Sequence, residues 1–271
     1  GTVMAMAAMG DPKRFFDDFH RMLTVDIQIA SHKPTTQPKG ALIPGNDPVH
    51  PYLNRWAVIA DKSEQDMYDL AAGLQSATEN VFRALLQLTF SQIETKNLCL
   101  SGGVTLNSVM VGKIKEWFPK IENVFVTPIP HDGGLAVGAS QYVWHHILDN
   151  PRITWNDNFT PYLGKTYGHE EINEAINSRD SLSVEEATDT QVLKLLEDQK
   201  IVAVFGGGSE SGRRALGNRS ILVDPRSQLM KDTINKRVKH RQSFRPFAPS
   251  ILKEEVTNWF TKDQSSPYMS F

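Results

Sequence analysis

Glycines followed by closely spaced cations, between residues 201 and 249, form the stretch of this sequence best suited to chemistry. Gly206, Gly207, Gly208 and Gly212 leave backbone N–H groups without Cβ interference, a geometry that receives phosphate oxygens. Residues 213–245 then carry ten Lys or Arg against two Asp, a net charge of +8 in a chain of net charge −2. Concentrated positive charge predicts an anionic ligand, and a solvated basic face beside a glycine turn is the alternative.

These glycines and arginines do not form a P-loop. The G-x-x-x-x-G spacing runs from Gly207 to Gly212, but Arg213 and Arg214 stand where the motif has lysine and a hydroxyl residue. Magnesium coordination by a motif hydroxyl is therefore excluded. We expect backbone contacts to a ligand from Gly207 and Gly212, and bidentate phosphate contacts from guanidinium groups.

Two further glycine loops follow short apolar segments. Residues 97–100 predict a strand that leads into SGGVTLN, and residues 123–127 predict a second strand that leads into PIPHDGGLAVGAS. Each loop runs into a predicted helix, over 108–118 and up to about residue 148. Strand, glycine turn and helix start together place backbone donors where a phosphate or ribose can approach. The first loop could instead be a plain glycine turn. Asp132, which lies in the second loop, could be the N-cap of the following helix.

The elements around these loops are predicted from local patterns. Ser63 is expected to cap a long amphipathic helix, and the apolar run 201–205 is expected to form the strand that precedes the glycines. Ser227 is expected to cap a helix with apolar residues at four-residue spacing, and 168–178 and 189–199 are also predicted helices. Residues 24–62 are rich in proline and predict a long loop.

Composition describes an ordinary folded chain. Its 271 residues are 40% hydrophobic, which suffices for a sizeable core. No apolar run approaches the roughly 20 residues needed to span a bilayer, so we expect no membrane partner and a cytoplasmic location. The single cysteine, Cys99, excludes an internal disulfide, and we expect it to be a small core residue.

Several of these motifs together resemble one family. GRRALGNRSILVDPR, the lysine of KHR, FRPFAPSIL and the two glycine loops are similar to the bacterial O-carbamoyltransferases, the family of the nodulation-factor and tobramycin carbamoyltransferases. The resemblance implies an α/β fold. Residues 1–159 would be the C-terminal half of an actin-like (ASKHA-type) nucleotide-binding domain, and residues 160–271 a YrdC-like α/β domain, with the boundary near Thr160.

The resemblance also implies an activity and the residues that perform it. The enzyme would use ATP and carbamoyl phosphate to form carbamoyladenylate, and would transfer the carbamoyl group to the hydroxyl of a small-molecule acceptor. Catalytic, phosphate-binding roles fall on Arg214, Lys239 and Arg245. Nucleotide contacts are expected from Ser101, Gly102, Gly103, Asn107, Gly207, Gly212, Asn218 and Arg241.

One metal ligand and one departure also follow from the resemblance. Asp132 corresponds to an aspartate that binds a divalent metal, iron in the family, together with an H-x-x-x-H pair that this sequence lacks. His131 could approach the metal, but one carboxylate cannot hold such a site, so we expect metal binding by this chain alone to be weak. Gly208 stands where many relatives have arginine, which removes one cation of the usual site.

The ends of the sequence resemble interior parts of the family. GTVMAMAAMG is similar to a segment inside the first domain, and the chain stops before an L-N-T-S-F-N-like motif. We therefore expect a central segment that alone is inactive in complete carbamoyl transfer. The alternative functions are RNA binding and a YrdC-like role related to tRNA threonylcarbamoylation. Only Phe244 and Phe247 interleave with the cations, so we do not expect a nucleic-acid partner.

Overall fold

The computed structural model describes residues 1–23, 51–152, 161–262 and 264–271. The chain divides into two compact units, each assembled from stretches that are separated in the sequence. The first unit comprises Gly1–Leu98, Gly112–Val124 and Phe244–Pro246, and the second comprises Cys99–Val111, Phe125–Ser243 and Phe247–Phe271. The predicted boundary near Thr160 lies outside the described residues, and the division at this position stays a prediction.

Helices and short strands make up the regular structure of the described residues. The helices are α1 (Thr2–Ala7), α2 (Phe16–Leu23), α3 (Pro51–Ala60), α4 (Glu64–Gln92), α5 (Ser108–Val111), α6 (Ile114–Trp117), α7 (Gly134–Tyr142), α8 (His169–Asn177), α9 (Asp189–Glu197), α10 (Gln228–Arg237) and α11 (Val256–Trp259). The strands are β1 (Asn97–Leu100), β2 (Asn123–Val126), β3 (Val202–Phe205) and β4 (Arg219–Leu222). Single-turn 3-10 helices span Gly103–Leu106 and Lys253–Glu255, and a π-helix spans Val143–Ile147.

Helix α4 provides much of the core of the first unit. Its start is the predicted one, because the Ser63 hydroxyl accepts the backbone N–H of Asp66 at 3.1 Å and donates to the Asp66 carboxylate at 2.7 Å. Leu70 and Ala77 on the buried face of α4 join a core cluster of buried side chains. In that cluster the rings of Phe19 and Trp56 stack at 4.3 Å, so α2 and α3 also pack into the core.

Three local predictions are wrong in part. The predicted loop over 24–62 contains helix α3, which begins at Pro51. Proline is favoured at a first helical position, and Trp56 buries its side chain in the core. Residues 24–50 lie outside the described residues. The predicted helix 108–118 is two short helices interrupted at Gly112 and Lys113, where glycine is a poor helix former. Cys99 is exposed, because it falls on the exposed positions of the alternating strand β1.

Two small sheets complete the α/β architecture. Strands β1 and β2 pair with each other, and β3 pairs with β4 in an antiparallel ladder whose ends are Val202 opposite Leu222 and Phe205 opposite Arg219. The mixed α/β class is therefore confirmed. Within the described residues, the helices are too short or too polar to cross a bilayer.

Candidate functional site

Three predicted ligand loops of the second unit lie against one another. We call Ser101–Asn107 the first loop, 128–134 the second loop, and 206–219 the glycine–arginine loop. The backbone N–H of Gly102 donates to the carbonyl of Pro130 at 2.7 Å, which joins the first and second loops. The guanidinium of Arg214 donates through Nη2 to the carbonyl of Leu106 at 3.3 Å, which joins the glycine–arginine loop to the first loop.

Gly212 joins the glycine–arginine loop to the second loop. Each of the three loops thus contacts the other two, and we call them together the loop cluster. A Cβ at this position would lie 2.2 Å from the carbonyl oxygen of Pro128, closer than any real side chain can approach. The backbone of the glycine–arginine loop therefore packs directly on the second loop, and only glycine permits the contact. Residues predicted separately as phosphate, nucleotide and metal contacts are brought together by these three links.

The first loop presents open backbone. Gly102 has a φ of +102°, and nothing lies within 4 Å of the position a Cβ would take at Gly102 or Gly103. Ser101, Gly102 and Gly103 are exposed. Asn107 is partly committed, because its side-chain oxygen accepts the backbone N–H of Met110 at 3.1 Å and so begins helix α5. The loop leaves room for a ligand to approach its backbone; the nucleotide contacts of these four residues stay predictions.

The second loop is shaped by two glycines and a histidine. A Cβ at Gly134 would lie 2.2 Å from the carbonyl oxygen of Ile129, and one at Gly133 would lie 2.7 Å from Cε1 of His131. The N–H of Gly133 donates to Nδ1 of His131 at 3.0 Å. Helix α7 has Gly133 at its N-cap and no side-chain cap bond, so the exposed Asp132 is not the N-cap that the alternative reading required.

The surroundings of Asp132 do not fit a metal by themselves. Across residues 1–23, 51–152, 161–262 and 264–271, no three His, Cys, Asp or Glu side chains converge on a point that could hold a metal ion. The Nδ1 lone pair of His131 is occupied by the Gly133 hydrogen bond. Asp132 thus offers one carboxylate, fewer than the three protein ligands such sites use, and its metal role stays a prediction.

Glu210 organises the glycine–arginine loop, and it was missed at the sequence level. One carboxylate oxygen accepts the backbone N–H groups of Leu216 at 2.7 Å, Asn218 at 3.0 Å and Arg219 at 3.3 Å. Burial raises the pKa of Glu210, but the backbone hydrogen bonds outweigh it and hold the pKa below its usual range. The only sequence signal was a carboxylate directly preceding the strongly cationic stretch.

Two of the ten cations have partners within the second unit. Arg219 donates to the carbonyls of Gly206 at 2.7 Å and Asn218 at 2.8 Å, and its guanidinium lies 3.8 Å from the ring centroid of Phe205. Arg226 is paired with the buried carboxylate of Asp224. Arg219 therefore stabilises the glycine–arginine loop, and Asp224 offsets the charge of Arg226.

Asn218 also holds the loop. Its side-chain amide donates to the carbonyl of Gly208 at 2.8 Å, and it lies 2.8 Å from the position of a Cβ at Gly207, which has a φ of +53°. These contacts account for an asparagine here without a ligand. The predicted nucleotide contacts of Asn218 and Gly207 stay predictions.

The arginine that the family resemblance predicts at position 208 has no space here. A Cβ at the buried Gly208 would lie 2.6 Å from the carbonyl oxygen of Tyr162 and 3.0 Å from that of Gly164. Neighbouring hydrogen bonds fix this packing, since Ser211 donates its N–H to Pro161 at 2.7 Å and Gly164 donates to Ser209 at 3.0 Å. Residues 161–164 therefore cover the glycine–arginine loop where the missing side chain would begin.

The remaining predicted cations lie around and after helix α10. Lys239 is exposed just beyond the end of α10. Arg241 donates through Nε to the side chain of Asn235 at 2.7 Å, and its guanidinium lies 4.5 Å from the ring centroid of Phe247. Arg245 belongs to the first unit, whereas Arg214 and Lys239 belong to the second. A hydrogen bond links one of the three predicted catalytic residues, Arg214, to the loop cluster.

An open cavity of about 390 Å³ lies at the C-terminal end of α10. Arg241, a predicted nucleotide contact, lines this cavity. The other lining side chains are polar and include one carboxylate. The lining residues are Asp232, Asn235, Lys236, His240, Arg241 and Ser243.

Family models match both parts of the chain. The model described as "Carbamoyltransferase N-terminus" matches residues 1–141, and the one described as "Carbamoyltransferase C-terminus" matches residues 193–271. The first match contains the first and second loops, and the second match contains the glycine–arginine loop. The three loops that meet in the second unit thus come from both family regions.

Curated relatives agree with these matches. Nodulation protein NolO of Bradyrhizobium diazoefficiens is 32% identical over an aligned length of 283 residues, covering 99% of this chain and 48% of the relative. Nodulation protein NolNO of Sinorhizobium fredii is 32% identical, covering 99% of this chain and 39% of the relative. An uncharacterized protein of Synechocystis is 38% identical over 208 residues, 74% of this chain and 34% of the relative. The chain spans less than half the length of these relatives.

Proposed function

The chain belongs to the carbamoyltransferase family, and from this membership we propose that it supplies the nucleotide and phosphate site of an ATP-dependent O-carbamoyltransferase. Carbamoyl phosphate would be the carbamoyl donor: water would release its phosphate and leave carbamate, whose oxygen would attack the α-phosphate of ATP with loss of pyrophosphate. The resulting carbamoyladenylate would pass its carbamoyl group to the hydroxyl of a small-molecule acceptor with loss of AMP. We further propose that residues 1–159 are actin-like, that residues 160–271 are YrdC-like, and that the enzyme is cytoplasmic.

The meeting of the three loops is the observation that carries this proposal. Exposed glycine backbone in the first loop lies beside the half-buried guanidinium of Arg214, which is anchored on Leu106 at 3.3 Å. Open backbone suits a closely approaching ribose, and a guanidinium suits a phosphate. ATP and carbamoyl phosphate both carry phosphate, so both substrates match this chemistry.

The residues of this chain would act by binding and by stabilising charge. Adenylation moves negative charge onto the departing pyrophosphate, and cations fixed in place stabilise that charge without reorganising during the reaction. Arg214, whose guanidinium is held by a backbone carbonyl, is pre-positioned for this role. Lys239, in the same unit, would add a further phosphate contact, and the role of Arg245, in the first unit, stays a prediction. Asp132 is assigned no step, because the described residues around it do not fit a metal.

RNA binding is the less favoured function. A strand of nucleic acid needs cations free to follow its phosphates. Arg219 and Arg226 are committed to carbonyls and to Asp224, and Arg241 covers the face of Phe247, an aromatic ring that stacking would need. Asp224 offsets the charge of Arg226, and the contact of Arg241 with Phe247 reduces the stacking surface available for RNA.

Exchange of labelled pyrophosphate into ATP tests the proposed function. If carbamoyladenylate forms reversibly, exchange requires carbamoyl phosphate and falls strongly in Arg214→Ala. Lys231→Ala is the matched control, because Lys231 is an exposed cation of α10 outside the predicted site. Exchange that ignores carbamoyl phosphate, or that survives in Arg214→Ala, would contradict the proposal.

A further inference from the structure

The open cavity at the C-terminal end of α10 is built around one buried asparagine. Asn235 is 1% exposed. Its backbone carbonyl accepts the N–H of Arg241 at 3.0 Å, and its side-chain oxygen accepts a hydrogen bond from Nε of Arg241 at 2.7 Å. Its side-chain amide donates to the carbonyl of Ser243 at 3.3 Å. All three residues line the cavity, so these hydrogen bonds hold its wall in place.

His240 lines the same cavity in a conformation that is costly for a histidine. Its φ is +46°, in the left-handed region that glycine adopts without strain. Residues just past the end of a helix often take this conformation, and glycine is the usual residue there. The helix end therefore accounts for the conformation but not for the imidazole. Strained residues cluster at functional sites, so a role for the imidazole in the cavity would explain the strain.

The charged groups of the cavity favour an anionic ligand. Its lining contains two cations, Lys236 and Arg241, and one anion, Asp232. The imidazole of His240 adds an N–H donor in either protonation state. In the part of the chain that the structure describes, Lys236 forms no ion pair, although Asp232 lies four residues before it on α10. Lys236 also complements the dipole of α10, but that role does not explain the cavity.

The size of the cavity and its carboxylate narrow the class of ligand. Its volume of about 390 Å³ lies within the roughly 300–1,000 Å³ of small-molecule sites, so it holds more than a phosphate ion. A carboxylate repels phosphate oxygens and accepts hydrogen bonds from hydroxyl groups. A ligand that carries both a phosphate and hydroxyl groups therefore matches the cations and Asp232 together. Sugar phosphates are the simplest compounds of this kind.

We propose that the cavity at the end of α10 binds a sugar phosphate. Lys236, His240 and Arg241 contact the phosphate, and Asp232 accepts a hydrogen bond from a sugar hydroxyl. A free sugar phosphate and the ribose phosphate of a nucleotide are two sources of the same chemistry. This assignment concerns binding alone and does not require the adenylation of the proposed function.

Calorimetry of the 271-residue chain with ribose 5-phosphate, AMP and inorganic phosphate tests this site. Ribose 5-phosphate should bind more tightly than inorganic phosphate. Lys236→Ala and His240→Gly should each weaken its binding by about tenfold, the equivalent of one charge-assisted hydrogen bond. Lys231→Ala, which removes an exposed cation of α10 outside the cavity lining, should leave the affinity within about twofold of the wild type.

The same titrations identify the source of the sugar phosphate. Equal affinities for ribose 5-phosphate and AMP would show that the cavity binds the sugar phosphate alone, and a higher affinity for AMP would identify a nucleotide. Asp232→Asn should strengthen the binding of inorganic phosphate, because a repelling charge is removed, and should reduce the preference for ribose 5-phosphate. An equal gain for both ligands would overturn the contact between Asp232 and a hydroxyl.

Thermal unfolding separates a binding role of His240 from a structural one. His240→Gly should unfold at the same temperature as the wild type or higher, because glycine takes a φ of +46° without strain. A lower unfolding temperature would show that the imidazole stabilises the fold, and would overturn its assignment to the ligand.

Arg214→Ala separates the cavity from the loop cluster, since it should bind ribose 5-phosphate like the wild type. If pyrophosphate exchange fails while this binding depends on Lys236 and His240, the proposed function is wrong and the cavity assignment stands. The cavity assignment is overturned if ribose 5-phosphate does not bind, if Arg214→Ala abolishes its binding, or if Lys231→Ala and Lys236→Ala lose affinity equally. Carbamoyl-phosphate-dependent exchange would then still support the proposed function.

Discussion

Arg214 donates its Nη2 hydrogen to the carbonyl of Leu106 at 3.3 Å, across 108 positions of the sequence. The bond places the guanidinium against the first loop, where Gly102 and Gly103 expose their backbone. A guanidinium has five N–H donors, so this bond orients the group without using it up. The side chain is therefore held ready for a phosphate that enters beside the first loop.

The first prediction concerns this cation. Arg214→Ala should weaken ATP binding by about ten- to a hundredfold, since a charge-assisted contact contributes roughly 1.5 to 3 kcal/mol and each 1.4 kcal/mol is tenfold. Isothermal calorimetry measures the change. Lys231→Ala, which removes an exposed cation of α10, should leave the affinity within about twofold of the wild type.

Equal losses in Arg214→Ala and Lys231→Ala would mean that the +8 stretch acts as a diffuse field and that no specific site exists. If the RNA affinity of both the wild type and Arg214→Ala falls steeply with salt, the cations bind the phosphate backbone of RNA instead.

The second prediction concerns packing at Gly208. Gly208→Ala should lower the free energy of unfolding by about 1 to 3 kcal/mol, because its Cβ would lie 2.6 Å from the Tyr162 carbonyl and the backbone must shift. Thermal or urea unfolding measures the loss. Gly206→Ala is the matched control, since nothing lies within 4 Å of its Cβ position. Similar stabilities for the two variants would show that residues 161–164 do not cover the loop at Gly208.

The third prediction concerns the carboxylate that organises the loop. Glu210→Gln retains an acceptor oxygen but removes the charge that strengthens three backbone hydrogen bonds. Amide hydrogen exchange at Leu216 and Asn218 should accelerate in the variant, whereas exchange in helix α4 should not change. Unchanged exchange at both loop amides would show that the charge of Glu210 does not stabilise the loop.

The same carboxylate predicts a pH dependence. The folded pKa of Glu210 lies below its unfolded value near 4.5, so ionised Glu210 stabilises the fold fully above that value. This stabilisation is lost as the pH falls through the folded pKa. The difference in loop protection between wild type and Glu210→Gln should therefore be largest near neutral pH and vanish in acid, after correction for intrinsic exchange rates. A difference that grows in acid would contradict the sign.

The fourth prediction concerns metal. After anaerobic incubation with Fe²⁺ and desalting, the 271-residue chain should retain much less than one iron per molecule, because Asp132 supplies only one carboxylate. Metal analysis of the desalted protein gives the stoichiometry. Near-stoichiometric iron that disappears in Asp132→Ala would show that the chain completes the ligand set by itself.

Local signals in the sequence predicted local structure. The Ser63 cap of α4 and the strand before the glycines are confirmed, since capping and apolar runs depend on adjacent residues. Helix α3 was missed because the prolines before it and at its first position favour a loop, and the burial of Trp56 in the core is not visible locally. Cys99 was assigned to the core because alternation along a four-residue strand does not reveal which face is covered.

The candidate site was predictable as a set of segments but not as an arrangement. Glycine content and charge identified the three loops, and the family resemblance assigned roles to their residues. The approach of Gly212 to Pro128 and the anchoring of Arg214 on Leu106 join distant parts of the chain, and no spacing rule predicts them. Glu210 was missed because its partners are backbone N–H groups, which the sequence does not mark.

A crystal structure of the chain with ATP and carbamoyl phosphate would show directly whether the first loop and Arg214 form the nucleotide site. We expect adenosine density against the backbone of Ser101–Gly103 and a phosphate oxygen within hydrogen-bond distance of the Arg214 guanidinium. Adenosine bound elsewhere, with the first loop empty and Arg214 contacting only the Leu106 carbonyl, would contradict this site.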